Sequence, residues 1–304
     1  MIDGGTLLLA SLLSAARTVA LASLVLSHSL LWPADFGHVS EPSYQCQTPL
    51  VRGYLGCVFT DADGHKMNFL LLLPPGYDPS QQYPLVLMLH GGGERAVTSR
   101  TFAENLDVLA RVDYNEIWTY QPDHPKTVPV EALYPTFVVV PQLNYPNNWV
   151  NVAPSHGSYT LASEPTPSLQ TAKDLVDYLQ MRFSGIDSNR LYLTGISIGA
   201  YGAWDALERW PDYFAAALIA AGAGDPSKAA LLKSIPIWVL QGADDKAVPV
   251  SGSTDMVKAI KAAGGDPKLT LVPGAGHAIF TYVYDPSAKT NNHIAWLFSQ
   301  HKSS

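Results

Sequence analysis

RLYLTGISIGAYGAWDALERW, residues 190–210, decides the reading of this chain. Arg190 to Thr194 form a strand-like run, Ala200 to Trp210 favour a helix, and Gly195-Ile196-Ser197-Ile198-Gly199 lies between them. Strand, sharp turn and helix together hold a serine hydroxyl clear of the backbone, where it can attack a substrate. The pentapeptide alone is weak evidence, because glycine and serine are common residues; its flanks give it weight. Glycines suit both sides because a strained serine turn leaves no room for neighbouring Cβ atoms.

A nucleophile needs a base, and the base needs an orienting acid. Two later loops supply them, each after an apolar strand-like run. Ile237 to Leu240 precedes Gln241-Gly-Ala-Asp244-Asp245-Lys-Ala-Val-Pro249, and Lys268 to Val272 precedes Pro273-Gly-Ala-Gly276-His277. Serine, aspartate and histidine in that order, each at the carboxyl end of a strand, is an α/β-hydrolase arrangement. Open parallel sheets build their sites at those ends. A fourth part comes earlier. Tyr83 to Leu89 reads as a buried parallel strand running into His90-Gly91-Gly92-Gly93-Glu94-Arg95. Such a loop can aim backbone N–H groups at a developing oxyanion, with Gly92 and Ile198 as the expected donors. His90 precedes the serine strand, and its expected role is to brace that loop.

These residues carry a resemblance. LPPGYDPSQQYPLVLMLHGGGER (Leu73 to Arg95), VVVPQ (Val138 to Gln142), the segment Arg190 to Ala217, QGADDKAVPV (Gln241 to Val250) and PGAGHAIF (Pro273 to Phe280) resemble the α/β-hydrolase superfamily. Within it the chain is similar to feruloyl and acetyl-xylan esterases, polyester depolymerase-like proteins and predicted prolyl-oligopeptidase-type peptidases. The resemblance spans nearly all of residues 54–300. It implies Ser197 as nucleophile, Asp245 rather than Asp244 as acid, and His277 as base. It also implies Gln142 and Trp149 as residues facing substrate. Two positions depart from the pattern: Gln241 stands where a histidine is common, and Ile198 where methionine or glutamine is common.

Composition narrows the class. The 304 residues are 47% hydrophobic and only 15% charged, with a net charge of −7, enough for one large α/β domain. An acidic, charge-poor chain without a basic run argues against nucleic acid as a partner. The expected partner is a small-molecule or polymeric ester, and the chemistry needs no cofactor or metal. Residues 5–31 are apolar apart from Arg17, His28 and a few small polar residues. Residues 1–34 therefore read as a signal peptide or N-terminal membrane anchor, and 35–304 as one catalytic domain. That implies a secreted or periplasmic protein, or one tethered to the membrane by an uncleaved segment. The run lacks an early positive charge, so a misassigned start is the competing reading. Cys46 and Cys57 are the only cysteines. In an exported chain they would close a small loop as a disulfide; otherwise they are two thiols.

The expected architecture is a mostly parallel sheet with helices on both faces, opened by an antiparallel hairpin around Asp61-Ala-Asp-Gly64. Strands are expected at 85–89, 137–140, 190–194, 215–220, 235–240 and 268–272. Helices are expected near 100–111, 164–183, 253–263 and 291–300. Residues 112–136 and 143–165 read as long irregular loops, the kind that form lids or binding walls. Trp118, Tyr120, Tyr145, Trp149 and Tyr159 are their candidate cleft-lining aromatics. The leading functional expectation is a serine carboxylesterase. A prolyl-oligopeptidase-type peptidase is second, and a non-catalytic binder on the same fold is third.

Overall fold

The computed structural model describes residues 41–119, 128–153, 155–285 and 292–302. The apolar segment 5–31, Tyr120 and the start of the last expected helix at Asn291 lie outside them. Among the described residues no helix is long and apolar enough to cross a membrane.

Among the described residues nine strands form one mixed sheet: β1 (Ser43–Val51), β2 (Tyr54–Thr60), β3 (Lys66–Leu72), β4 (Tyr83–Leu89), β5 (Phe137–Gln142), β6 (Ile186–Ile196), β7 (Ala216–Ala220), β8 (Ile237–Gly242) and β9 (Lys268–Val272). Their spatial order is β1-β2-β3-β5-β4-β6-β7-β8-β9. The first three strands and the β3–β5 pair are antiparallel. From β5 onward every pair is parallel. The chain reverses direction of travel at β4, and the carboxyl ends of β4, β6, β8 and β9 share one rim. That rim is where an open α/β sheet gathers functional loops.

Side-chain alternation on the central strands divides the core. Leu85, Leu87 and Leu89 of β4 join one apolar cluster with helices α4 (Pro167–Arg182), α5 (Ile198–Arg209) and α6 (Val250–Ala262). Val86 and Met88 point to the other face. They meet α1 (Phe102–Ala110), the short α2 (Asp113–Glu116) and α3 (Val130–Leu133), and the C-terminal α7 (Phe280–Tyr284) and α8 (His293–Phe298). A strand apolar at every position has to be covered on both faces, which is why β4 lies inside the sheet. Caps set the helix starts. Thr101 and Glu104 form a reciprocal capping box on α1, and the Thr166 hydroxyl accepts from the Leu169 N–H ahead of Pro167 in α4.

Three features differ from expectation. The stretch before the hairpin is itself a strand, β1, whose polar and apolar residues alternate because it is an edge with one covered face. The loop 112–136 contains two four-residue helices, α2 and α3. The last helix ends at Phe298.

Cys46 and Cys57 are directly opposed across β1 and β2 and are joined by a disulfide. The bond fastens the edge strand β1, which lies four strands away from β4 in the sheet. The double variant Cys46→Ser/Cys57→Ser is expected to lose about 2–3 kcal/mol in urea unfolding while keeping its activity per folded molecule. An unchanged unfolding midpoint would show that the hairpin holds β1 without the bond.

Candidate active site

Ser197 occupies the turn between β6 and α5 with φ 53° and ψ −123°, a left-handed backbone that costs energy for any residue bearing a Cβ. The surroundings impose it. A Cβ on Gly199 would lie 1.9 Å from the Leu89 carbonyl oxygen, and one on Gly195 would lie 2.2 Å from the Gly199 carbonyl oxygen. Both glycines are therefore fixed by close backbone approach. The Ser197 N–H donates to the Ala220 carbonyl at 3.0 Å, so the turn is also anchored to β7. The amide of Ile198 belongs to the first turn of α5, where N–H groups have no partner within the helix.

The three segments converge. His277 Nε2 lies 2.9 Å from Ser197 Oγ, and His277 Nδ1 lies 2.8 Å from Asp245 Oδ2. The Asp245 side chain is fully buried while that of His277 is 28% exposed, so the carboxylate is sealed and the imidazole reaches solvent. A buried carboxylate needs donors, and Asp245 has four. Besides His277 they are the N–H groups of Ala247 and Val248, at 2.9 and 3.0 Å from Oδ1, and the Gln241 amide at 2.8 Å from Oδ2. Asp244 is exposed. Its N–H donates to the Ala275 carbonyl at 2.9 Å and that of Ala243 to the Val272 carbonyl at 3.0 Å, stitching the acid loop to the histidine loop. The Phe280 ring stands edge-on to the imidazole, with centroids 5.5 Å apart.

Behind the glycine-rich loop His90 is entirely buried. Its Nε2 accepts from the Leu143 N–H at 2.9 Å, and its Nδ1 lies 2.6 Å from the Gly91 carbonyl. These partners require a neutral ring protonated on Nδ1. The Arg95 guanidinium donates to the carbonyls of Gly92, at 3.2 Å, and Asn147, at 2.8 Å, tying the loop to the segment after β5. Among the described residues no group of three or more metal-ligating side chains gathers.

A family model for the dienelactone hydrolases matches residues 138–298, more than half of the chain. The chain belongs to the dienelactone hydrolase family. That membership, and the fold, place it among the α/β-hydrolases. Among solved structures it is similar to a thermostable esterase, at 29% identity and a TM-score of 0.68. The match covers 83% of this chain and 64% of that one, so this chain spans a little under two thirds of that esterase's length. A mutant of the feruloyl esterase module from Clostridium thermocellum, complexed with sinapinate, matches at 15% identity and a TM-score of 0.54, covering 90% and 95% of the two chains. Porphyromonas gingivalis dipeptidyl peptidase 4 matches at 14% identity and a TM-score of 0.54, with 81% of this chain on 35% of that one. The last two likenesses are of fold alone. No curated protein sequence matches significantly.

In this chain the residues expected to face substrate are placed differently. Gln142 is wholly buried and donates to the carbonyls of Glu94 at 2.8 Å and Asn105 at 2.7 Å. Trp149 is wholly buried, and its indole N–H donates to the His90 carbonyl at 3.1 Å. Neither offers surface to a ligand; both hold the glycine-rich loop from behind. Trp118 is a core residue donating to the Tyr114 carbonyl at 3.0 Å. Tyr159 is half-buried and stacked on Tyr201, while Tyr145 is 68% exposed. An aromatic with a polar tip suits a cleft wall and a core equally, so sequence does not separate the two. Gln241 and Ser253 are absent from the expected site; their signal is the Gln241 departure itself.

Burial, opposed by the Gly91 carbonyl and reinforced by Arg95, lowers the His90 pKa from its ordinary 6.5 to about 4. A folded pKa below the unfolded one means the unfolded chain binds the extra proton first. His90 therefore leaves stability intact above pH 6.5 and withdraws up to about 3 kcal/mol as pH falls toward 4. His90→Asn is expected to be less stable than wild type at pH 8, with a flatter dependence of urea midpoint on pH between 6.5 and 4.5. Equal slopes would show that the ring titrates in the folded protein as it does in the unfolded chain.

Proposed function

We propose that this chain is a serine carboxylesterase working through an acyl-enzyme. The reading rests on the hydrogen-bonded series from Ser197 through His277 to Asp245. As the Ser197 oxygen bonds to the ester carbonyl carbon, its proton passes to His277 Nε2 and the carbonyl electron pair moves onto oxygen. The N–H groups of Ile198 and Gly92 hold that oxyanion, each worth roughly 3–4 kcal/mol in such chemistry. Asp245 fixes the Nδ1–H tautomer and stabilises the imidazolium. Collapse breaks the bond to the alcohol oxygen, which leaves with the proton from Nε2. Water then attacks the acyl group with His277 again as base, and Ser197 is released.

The esterase likeness at 29% identity favours ester over peptide substrates. Acyl groups on plant polysaccharides, or short-chain and polymeric esters, are the proposed substrates. Export to an oxidising compartment is proposed from the Cys46–Cys57 disulfide together with the apolar segment 5–31.

Ser197→Ala is expected to keep the wild-type circular dichroism and to lose p-nitrophenyl butyrate turnover by at least about 10⁴-fold. A fluorophosphonate probe should label wild type and not the variant. Retained turnover in the variant would falsify the assignment. A panel of methyl ferulate, acetylated xylan, p-nitrophenyl esters and a prolyl p-nitroanilide should rank the esters first, and preference for the anilide would move the reading to a peptidase.

A further inference from the structure

If Ser197 is the nucleophile as proposed, Asp245 must keep one oxygen, Oδ2, aimed at the imidazole through every proton transfer. Backbone amides hold only the other oxygen, Oδ1. Besides His277, the partner of Oδ2 is the side-chain amide of Gln241, at 2.8 Å. Gln241 sits near the end of β8 and has no exposed surface, so water cannot take its place.

The orientation of that amide is forced. Its Nε2 faces two acceptors, Asp245 Oδ2 and the Val248 carbonyl at 3.5 Å. Its Oε1 accepts from the Ser253 hydroxyl at 2.8 Å. Ser253 is itself fully buried, in the first turn of α6, with the Gly222 carbonyl 3.2 Å away as its alternative acceptor. Turning the amide over would set oxygen against oxygen at Asp245 and nitrogen toward Ser253. We propose that Gln241, oriented by Ser253, is a positioning residue that locks the Asp245 carboxylate on His277. A neutral amide suits that role, because it donates to the carboxylate at any working pH and never competes for the catalytic proton. A histidine at this position would carry a second titrating ring into the relay. This deepens the serine-esterase reading and rests on it.

The test uses Gln241→Met, which removes the amide at similar length, with Ser253→Ala, the double variant and Gln241→His. For p-nitrophenyl butyrate, Gln241→Met is expected to lower kcat by about 10–100-fold with KM within about twofold, the cost of a misaimed group in a reacting geometry. Ser253→Ala should lose about 3–10-fold, and the double variant should be no slower than Gln241→Met, because Ser253 acts through the amide. Gln241→His, which restores an N–H donor, should recover part of the loss. A wild-type kcat in Gln241→Met, or a Ser253→Ala loss that adds in full to it, overturns the inference. Should Gln241→Met fail to fold, an unchanged kcat in Ser253→Ala overturns it equally. Fluorophosphonate labelling separates the two levels. A wild-type protein that neither labels nor turns over ester sinks the esterase reading, whereas labelling of Gln241→Met at the wild-type rate sinks this inference alone.

Discussion

Everything at the rim depends on how closely the start of α5 is pressed beneath the end of β4. With the Gly199 Cα so near the Leu89 carbonyl that no Cβ fits, helix and strand share backbone contact rather than side-chain packing. The left-handed Ser197 turn follows from that contact, since a relaxed turn would lift the helix away. The contact also sets the N-terminus of α5 beside the glycine-rich loop that leaves β4. The N-terminus of α5 carries partial positive charge there, which favours an anion. The strain is offset by the two-sided burial of β4 and β6, whose residues from Leu85 to Leu89 and Leu191 to Ile196 are all buried.

A turn held this rigidly is useful only if its partners are equally fixed, and they are fixed by polar groups taken out of water. His90 spends both ring nitrogens on backbone, Gln142 spends its amide on two carbonyls, and Asp245 accepts four hydrogen bonds. Each would cost free energy if left unpaired, so each can occupy one geometry and no nearby alternative. The segment after β5 is strapped down in the same way. Arg209, paired at 2.5 Å with Asp205, donates to the carbonyls of Ala162, Ser163 and Glu164, and Asp225 accepts from the Leu161 N–H.

How much of this the residues disclose by themselves follows from which interactions are local. The alternation of strand and helix, the turn at Ser197 and the loops carrying Asp245 and His277 are written in neighbouring residues: apolar runs, glycines and punctuating prolines. β1 escapes such a reading because an edge strand covered on one face, in a stretch rich in Gln and Pro, looks like loop. The roles of Gln142, Trp118 and Trp149 escape it for another reason. Their hydrogen-bond partners lie 4 to 59 residues away, and only the assembled fold decides whether an indole or amide faces solvent or a carbonyl. Between Asp244 and Asp245, alike as neighbours, only the resemblance distinguishes the two in sequence; in the fold, burial separates them.

The placement of those tryptophans changes which surface stands beside the imidazole. Had Trp118 and Trp149 lined the rim, it would carry a fixed aromatic wall. With both in the core, the aromatic surface that does approach the imidazole is Phe280, at the head of the short helix α7. Its ring packs edge-on against Tyr114 of α2, with centroids 5.9 Å apart, and Tyr114 in turn packs near Tyr284. The wall beside His277 is thus built from two short helices on the opposite face of the sheet from α5. Ser197 and the ring beside His277 are carried by different layers of the fold, so the surface next to the imidazole can be reshaped without disturbing the turn that holds Ser197.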